Sequence, residues 1–213
     1  MKCNREILKL YAVTDRAWSD KKTLICQIEE ALSGGVTCVQ LREKNLSDEK
    51  FLEEALEVKK ICQGYNVPFI VNDNVKVACE CNADGIHVGQ GDMVACNVRE
   101  KIGSGMILGV SVQTVEEAIK AWNDGADYLG VGAVFSTSTK LDAVNVSSKT
   151  LETICKAVPI PVVAIGGITK ENIYELKGTG VDGVALVSAI FAKDDITNEC
   201  RKLLEISEKC FYM

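Results

Sequence analysis

The chain holds one histidine, His87, and no Cys-x-x-Cys pair among its ten cysteines, so the usual zinc patterns are excluded. Cysteines 3, 26, 38, 62, 79, 81, 96, 155, 200 and 210 fall mostly inside apolar runs. They read as small buried hydrophobes of a reduced, cytoplasmic protein rather than as a disulfide framework. Basic charge is not in excess. The balance of 24 Lys and Arg against 30 Asp and Glu leaves −6, which argues against general nucleic-acid binding and assigns local cationic clusters to small anions. No apolar run is long enough to span a bilayer, and the first residues, MKCNREILKLYAVTD, lack an apolar signal region followed by a cleavage site. Neither membrane association nor secretion is therefore expected. On that basis the two Asn-x-Ser matches, Asn45 to Ser47 and Asn145 to Ser147, carry no meaning as glycosylation sites. No Gly-x-Gly-x-x-Gly follows the first strand-like stretch, which counts against a dinucleotide fold. No linker or low-complexity tract marks a boundary, so residues 1–213 read as one domain.

Strand-like and helix-like stretches instead alternate from end to end. Strands are expected over 7–14, 36–41, 67–71, 84–88, 107–110, 128–132, 161–165 and 183–187, nearly all apolar and rich in Val and Ile, as parallel strands buried on both faces should be. Helices are expected over 24–32, 47–63, 74–81, 93–101, 114–124, 147–157, 169–177 and 197–208. Ser47 caps the second helix and Gly64 closes it. Eight such pairs predict a single (β/α)8 barrel, an α/β fold of the TIM type, with its chemistry at the C-terminal strand ends.

The polar residues at those ends share one theme. In VQLREK, residues 39–44, Val39 and Leu41 read as inward or sheet-packed positions, while Gln40, Arg42 and Lys44 share the other register. Arg offers a planar fork of donors and Lys a point charge, both suited to phosphate oxygens. Asn72 and Asp73 end the third strand, and Gln90, Gly91 and Asp92 follow the fourth. Each Asp alone could be a helix cap; together, facing cations, they could hold one Mg²⁺ along with waters and substrate phosphate oxygens. Ser111 ends the fifth strand, and Ser136 to Lys140 form a Ser/Thr-rich loop after the sixth. Gly166-Gly167 and Val187-Ser188 can aim backbone N–H groups at a second phosphate. His87 reads as a core histidine with satisfied hydrogen bonds. No Ser/His or Cys/His set indicates a covalent intermediate, and no organic cofactor is required.

YAVTD (11–15), VQLREK (39–44), NDN (72–74), HVGQGD (87–92), GVS (109–111), FSTSTK (135–140), AIGGI (164–168) and ALVSAI (185–190) form an ordered set. In order and spacing this set resembles the thiamine-phosphate synthase family of barrel enzymes across essentially the whole chain. The resemblance implies two small phosphorylated heterocyclic substrates. It implies a pyrimidine diphosphate on Gln40, Leu41, Arg42, Glu43, Lys44, Asn72, Ser111 and Lys140. It places Mg²⁺ on Asp73 and Asp92, and a thiazole phosphate on Thr137, Ser138, Thr139, Gly167, Val187 and Ser188. Arg42, Lys44 and Lys140 would then stabilise the departing pyrophosphate. Gly91 and Ser136 depart from the family pattern, which commonly has an acidic residue and Pro there, and 141–147 diverges. A thiazole tautomerase-like isomerase and a non-catalytic phosphate-ligand regulator are the rival readings.

Overall fold

A computed structural model describes residues 3–19, 22–136 and 145–213. Eight short parallel strands close into one barrel: β1 (Leu10–Val13), β2 (Cys38–Leu41), β3 (Phe69–Asn72), β4 (Gly85–Val88), β5 (Ile107–Val112), β6 (Tyr128–Val131), β7 (Val162–Ile165) and β8 (Gly183–Leu186), with β8 pairing back onto β1. The helices are α1 (Leu24–Ser33), α2 (Asp48–Gly64), α3 (Val75–Glu80), α4 (Ala95–Ile102), α5 (Val115–Asn123), α6 (Ser148–Ala157), α7 (Ser188–Phe191) and α8 (Ile196–Phe211). A (β/α)8 barrel is what the alternation predicts. Among the described residues no helix is long and apolar enough to cross a membrane.

Side chains alternate along each strand. Val39 and Leu41 pack outward into the layer shared with the helices, where most of the apolar core lies. Cys38 and Gln40 therefore turn into the barrel with Tyr11, Ile70, Tyr128 and Val163. Large interior side chains sit over glycines on neighbouring strands. A Cβ on Gly109 would stand 2.2 Å from the Tyr128 ring, and one on Gly85 would stand 2.6 Å from Ile70.

One polar device recurs four times at the opposite, N-terminal end. The residue just before or at the start of every even strand clamps the preceding odd strand. Thr37 Oγ1 accepts from the Leu10 N–H, and Asp84, Asp127 and Asp182 accept from Phe69, Leu108 and Val162, all at 2.9 Å. Each clamp also donates its own backbone N–H to the same residue's carbonyl. Buried strand ends are satisfied in this way, and parallel register is pinned pair by pair.

Several expected boundaries shift for local reasons. Residues 5–8 form a 3₁₀ turn, capped by Asn4 accepting from the Glu6 N–H, so β1 begins only at Leu10. Ser47, Thr114 and Ser147 cap α2, α5 and α6, which gives both Asn-x-Ser serines a structural role. Gly64 does not close α2; the chain leaves the helix through Tyr65 and a left-handed Asn66 (φ 56°). The helix expected at 169–177 is only a 3₁₀ turn, Ile173–Leu176. There Asn172 Oδ1 accepts from the Thr169 N–H while its Nδ2 donates to the Gly167 carbonyl, and such side-chain bonds compete with a helical start. The short α7 was not anticipated. All ten cysteines are free thiols; five are buried, but Cys26, Cys79 and Cys96 are exposed, so burial does not hold for every one.

Candidate functional site

At the C-terminal strand ends lies a cavity of about 460 Å³. Its walls include Gln40, Arg42, Lys44, Asn72, Asp73, Asp92, Ser111, Gly167, Val187 and Ser188, the candidate residues that the spacing had put on six different strand ends. Two candidates do not reach it. Leu41 is fully buried toward the helices, and the Glu43 carboxylate is buried against Arg16, 2.8 Å away. Leu41 alternates away from Gln40, as a strand's period of two requires, and Glu43, two residues past the end of β2, is held by Arg16. Thr137, Ser138, Thr139 and Lys140 lie outside the described residues.

The cationic wall is held from behind. The Arg42 backbone N–H donates to the Thr14 hydroxyl oxygen (2.9 Å), and its guanidinium pairs with Asp15 at 3.0 Å. Asp15 also caps the turn Arg16–Trp18 through the Ala17 N–H. It was missed in the sequence because it reads only as the end of a strand.

Neither aspartate is a helix cap. Asn74 caps α3, accepting from Val77 N–H, so Asp73, on a left-handed backbone (φ 61°), caps no helix. Val94 precedes α4, and Asp92 Oδ2 accepts from the Gly89 N–H at 2.8 Å instead. Burial, and then the adjacent like charge of Asp92, push the Asp73 carboxyl up to about 6, while Lys44 and a hydrogen bond to Asn72 pull the other way. Two crowded carboxylates beside two cations fit a divalent cation that shares its remaining positions with water and phosphate oxygens. Among the described residues no group of three or more Asp, Glu, His or Cys gathers to make an all-protein cage, and Mg²⁺ does not need one.

Across the barrel mouth the surface changes character. Gly166 and Gly167 both take positive φ (98° and 65°), and Val187 leads into Ser188 at the start of α7. A Cβ on Gly167 would fall 2.4 Å from the Ser136 carbonyl oxygen, so only glycine lets the two loops approach. Among the described residues, glycines, Ser188 and apolar side chains rather than cations line this side.

His87 is buried as expected, yet its surroundings belong to the cavity. Nδ1 lies 2.9 Å from the Tyr128 hydroxyl and Nε2 2.8 Å from Ser111 Oγ. The Tyr128 hydroxyl meets that of Tyr11 at 2.8 Å, which accepts from Gln40 Nε2 at 2.7 Å. Burial lowers the imidazole to about 4 and raises both phenols, so the whole line is uncharged near neutrality. Tyr11 and Tyr128 were not singled out in the sequence, because an aromatic in an apolar strand carries no sign of facing a site.

The thiamine monophosphate synthase family model matches residues 10–190. A thiamine-phosphate synthase from Ruminiclostridium cellulolyticum is 53% identical over 197 residues, 92% of this chain and 94% of that protein. Another from Clostridium tetani is 51% identical over 91% of this chain and 93% of its own. The solved structure of a thiamine phosphate pyrophosphorylase from Pyrococcus furiosus superposes with a TM-score of 0.90 at 39% identity, covering 97% of this chain and 98% of that one. With a family match over residues 10–190 and relatives about half identical across nearly the whole barrel, this chain belongs to the thiamine monophosphate synthase family.

Proposed function

We propose that this protein is a thiamine-phosphate synthase, a transferase that joins an aminopyrimidine carrying a diphosphooxymethyl group to a thiazole carrying a phosphooxyethyl group, releasing pyrophosphate. The observation that carries this reading is the two-sided cavity. Paired carboxylates and cations at β2–β4 face a glycine and helix-start surface at β7–β8. One side suits a diphosphate with its metal, the other a lone phosphate.

Asp73 and Asp92 would hold Mg²⁺, which when bound neutralises diphosphate oxygens and assists their departure. Arg42 and Lys44 supply fixed positive charge where the C–O bond breaks, and Lys140 is assigned to the same task from its place in FSTSTK. The pyrimidinylmethyl cation left behind is captured by the thiazole nitrogen held alongside, so the protein's work is placement and electrostatics. Release of pyrophosphate together with formation of thiamine phosphate, from both substrates and Mg²⁺, tests the reading. A tautomerase-like isomerase or a silent regulator would form neither product. Ser188→Asp adds a like charge beside the thiazole phosphate and is expected to raise that substrate's KM on the order of 10²-fold, with little change for the diphosphate. Equal losses for both substrates would mean the two anion subsites are not separate.

The raised Asp73 carboxyl makes a further expectation. In the metal-free protein its folded value exceeds the ordinary 3.8, so its ionisation removes stability as pH rises from 3.8 through about 6. At pH near 5 a cation must displace a proton there; above 7 it only relieves repulsion. Millimolar Mg²⁺ should therefore raise Tm more at pH 7.5 than at pH 5. Asp92→Asn should remove most of that difference. An equal Mg²⁺ shift at both pH values would separate Asp73 from the cation.

A further inference from the structure

Five polar side chains cross the barrel interior beneath the cavity as one unbroken line: Gln40, Tyr11, Tyr128, His87 and Ser111, joined by contacts of 2.7, 2.8, 2.9 and 2.8 Å. Its two ends, on β2 and β5, both line the cavity. Its middle is buried, although Tyr11 and His87 also border the cavity and the Cys38 thiol lies beside the Tyr11 hydroxyl. A direction taken at one link bears on the next. Gln40 Nε2 donates to Tyr11, and one direction then satisfies the whole line: the Tyr11 proton on Tyr128 and the Tyr128 proton on His87 Nδ1. With Nδ1 accepting, the neutral ring carries its proton on Nε2 and donates it to Ser111 Oγ. Ser111 is left with a hydroxyl proton for the cavity, and Gln40 with its carboxamide oxygen.

We propose that this line is a directional lock that holds Gln40 as an acceptor and Ser111 as a donor, and so selects an aminopyrimidine over its oxo analogue. The proposal rests on the synthase reading, because it needs a pyrimidine in the cavity. An exocyclic amino group can donate to Gln40 while a ring nitrogen on the far side accepts from Ser111. An oxo group in place of the amino group would bring an acceptor against an acceptor. Turning the Gln40 carboxamide over would cure that mismatch only if Tyr11, Tyr128 and His87 all reversed, leaving Ser111 as an acceptor against a ring nitrogen. Small residues make room for the line: a Cβ on Gly109 would strike the Tyr128 ring, and one on Gly130 would come within 3.1 Å of His87. Tyr11, Tyr128 and His87 are positioning residues, acting through Gln40 and Ser111.

Tyr128→Phe cuts the line in its middle, so Gln40 turns over freely while Ser111 keeps its partner. The measurement is kcat/KM for the aminopyrimidine diphosphate and for its oxo analogue. In the unaltered enzyme the amino compound should be favoured on the order of 10²-fold or more. Tyr128→Phe should reduce that ratio at least about tenfold, largely through better use of the oxo compound. Tyr11→Phe, which frees Gln40 directly, should do the same and serves if the first variant does not fold. A ratio unchanged in a folded variant, with both substrates losing rate alike, means a merely structural role and overturns the lock. Because His87 is the chain's one histidine, the ¹⁵N spectrum of its ring reports the tautomer without any activity. An Nε2–H ring supports the stated direction, and an Nδ1–H ring overturns it. An unaltered enzyme that turns over neither pyrimidine removes the synthase reading as well, whereas failure of the ratio test alone leaves that reading standing.

Discussion

Asp92→Asn and Asp73→Asn are each expected to lower kcat on the order of 10²–10³, the scale set by loss of one preorganised charge stabiliser. Asparagine is the informative replacement at both places. At 92 it keeps an oxygen for the Gly89 N–H, so the loop after β4 holds and only charge is lost. At 73 it tolerates the left-handed backbone that alanine would resist. Raising Mg²⁺ should restore part of the rate if the carboxylates act by holding the ion. Full activity of either variant at limiting Mg²⁺ would sink the metal assignment, and a collapsed Tm would mean the residue is needed for folding instead.

Gly183→Ala is expected to produce the largest loss of stability. Gly183 opens β8, where the barrel closes on β1, and a Cβ there would stand 1.8 Å from the Leu8 carbonyl oxygen and 2.9 Å from Lys9 Cα. Both are backbone atoms of the segment leading into β1, so no side chain can swing away. We expect a cost of about 3 kcal/mol, the upper end for overpacking, and a Tm lower by roughly 6–12 °C for a chain of this size. Gly64→Ala provides the contrast. It lies in the last turn of α2 with nothing within 4 Å of the added Cβ, so relief of backbone entropy should leave stability unchanged or slightly higher. If Gly183→Ala melted like Gly64→Ala, the β8–β1 closure would be looser than its geometry states.

Local chemistry was sufficient for the repeating part of this protein. Apolar strands of four to six residues, separated by capped helices, leave few arrangements besides a closed parallel barrel. Once the barrel is granted, the strand-end rule gathers Gln40, Arg42, Lys44, Asn72, Asp73, Asp92, Ser111, Gly167, Val187 and Ser188 in one place. Each of these residues except Val187 carries its own signal, a charge, a polar group or a turn glycine at the end of an apolar run. Position in sequence could not say which polar residues are already spoken for. Glu43 differs from Lys44 by one step of the chain, yet is paired with Arg16, and Asp73 yields the cap of α3 to Asn74. The helix expected after β7 fails because Asn172 bonds its own loop, a competition that apolar periodicity does not register. The interior line from Gln40 to Ser111 joins residues that lie as far as 117 positions apart, and no pairwise spacing announces it. Amino-acid order determines periodicity, caps and the charge at each strand end, because those depend on near neighbours. Which buried hydroxyl meets which ring nitrogen is decided only when eight strands close around a shared interior and every polar group inside must find its partner there.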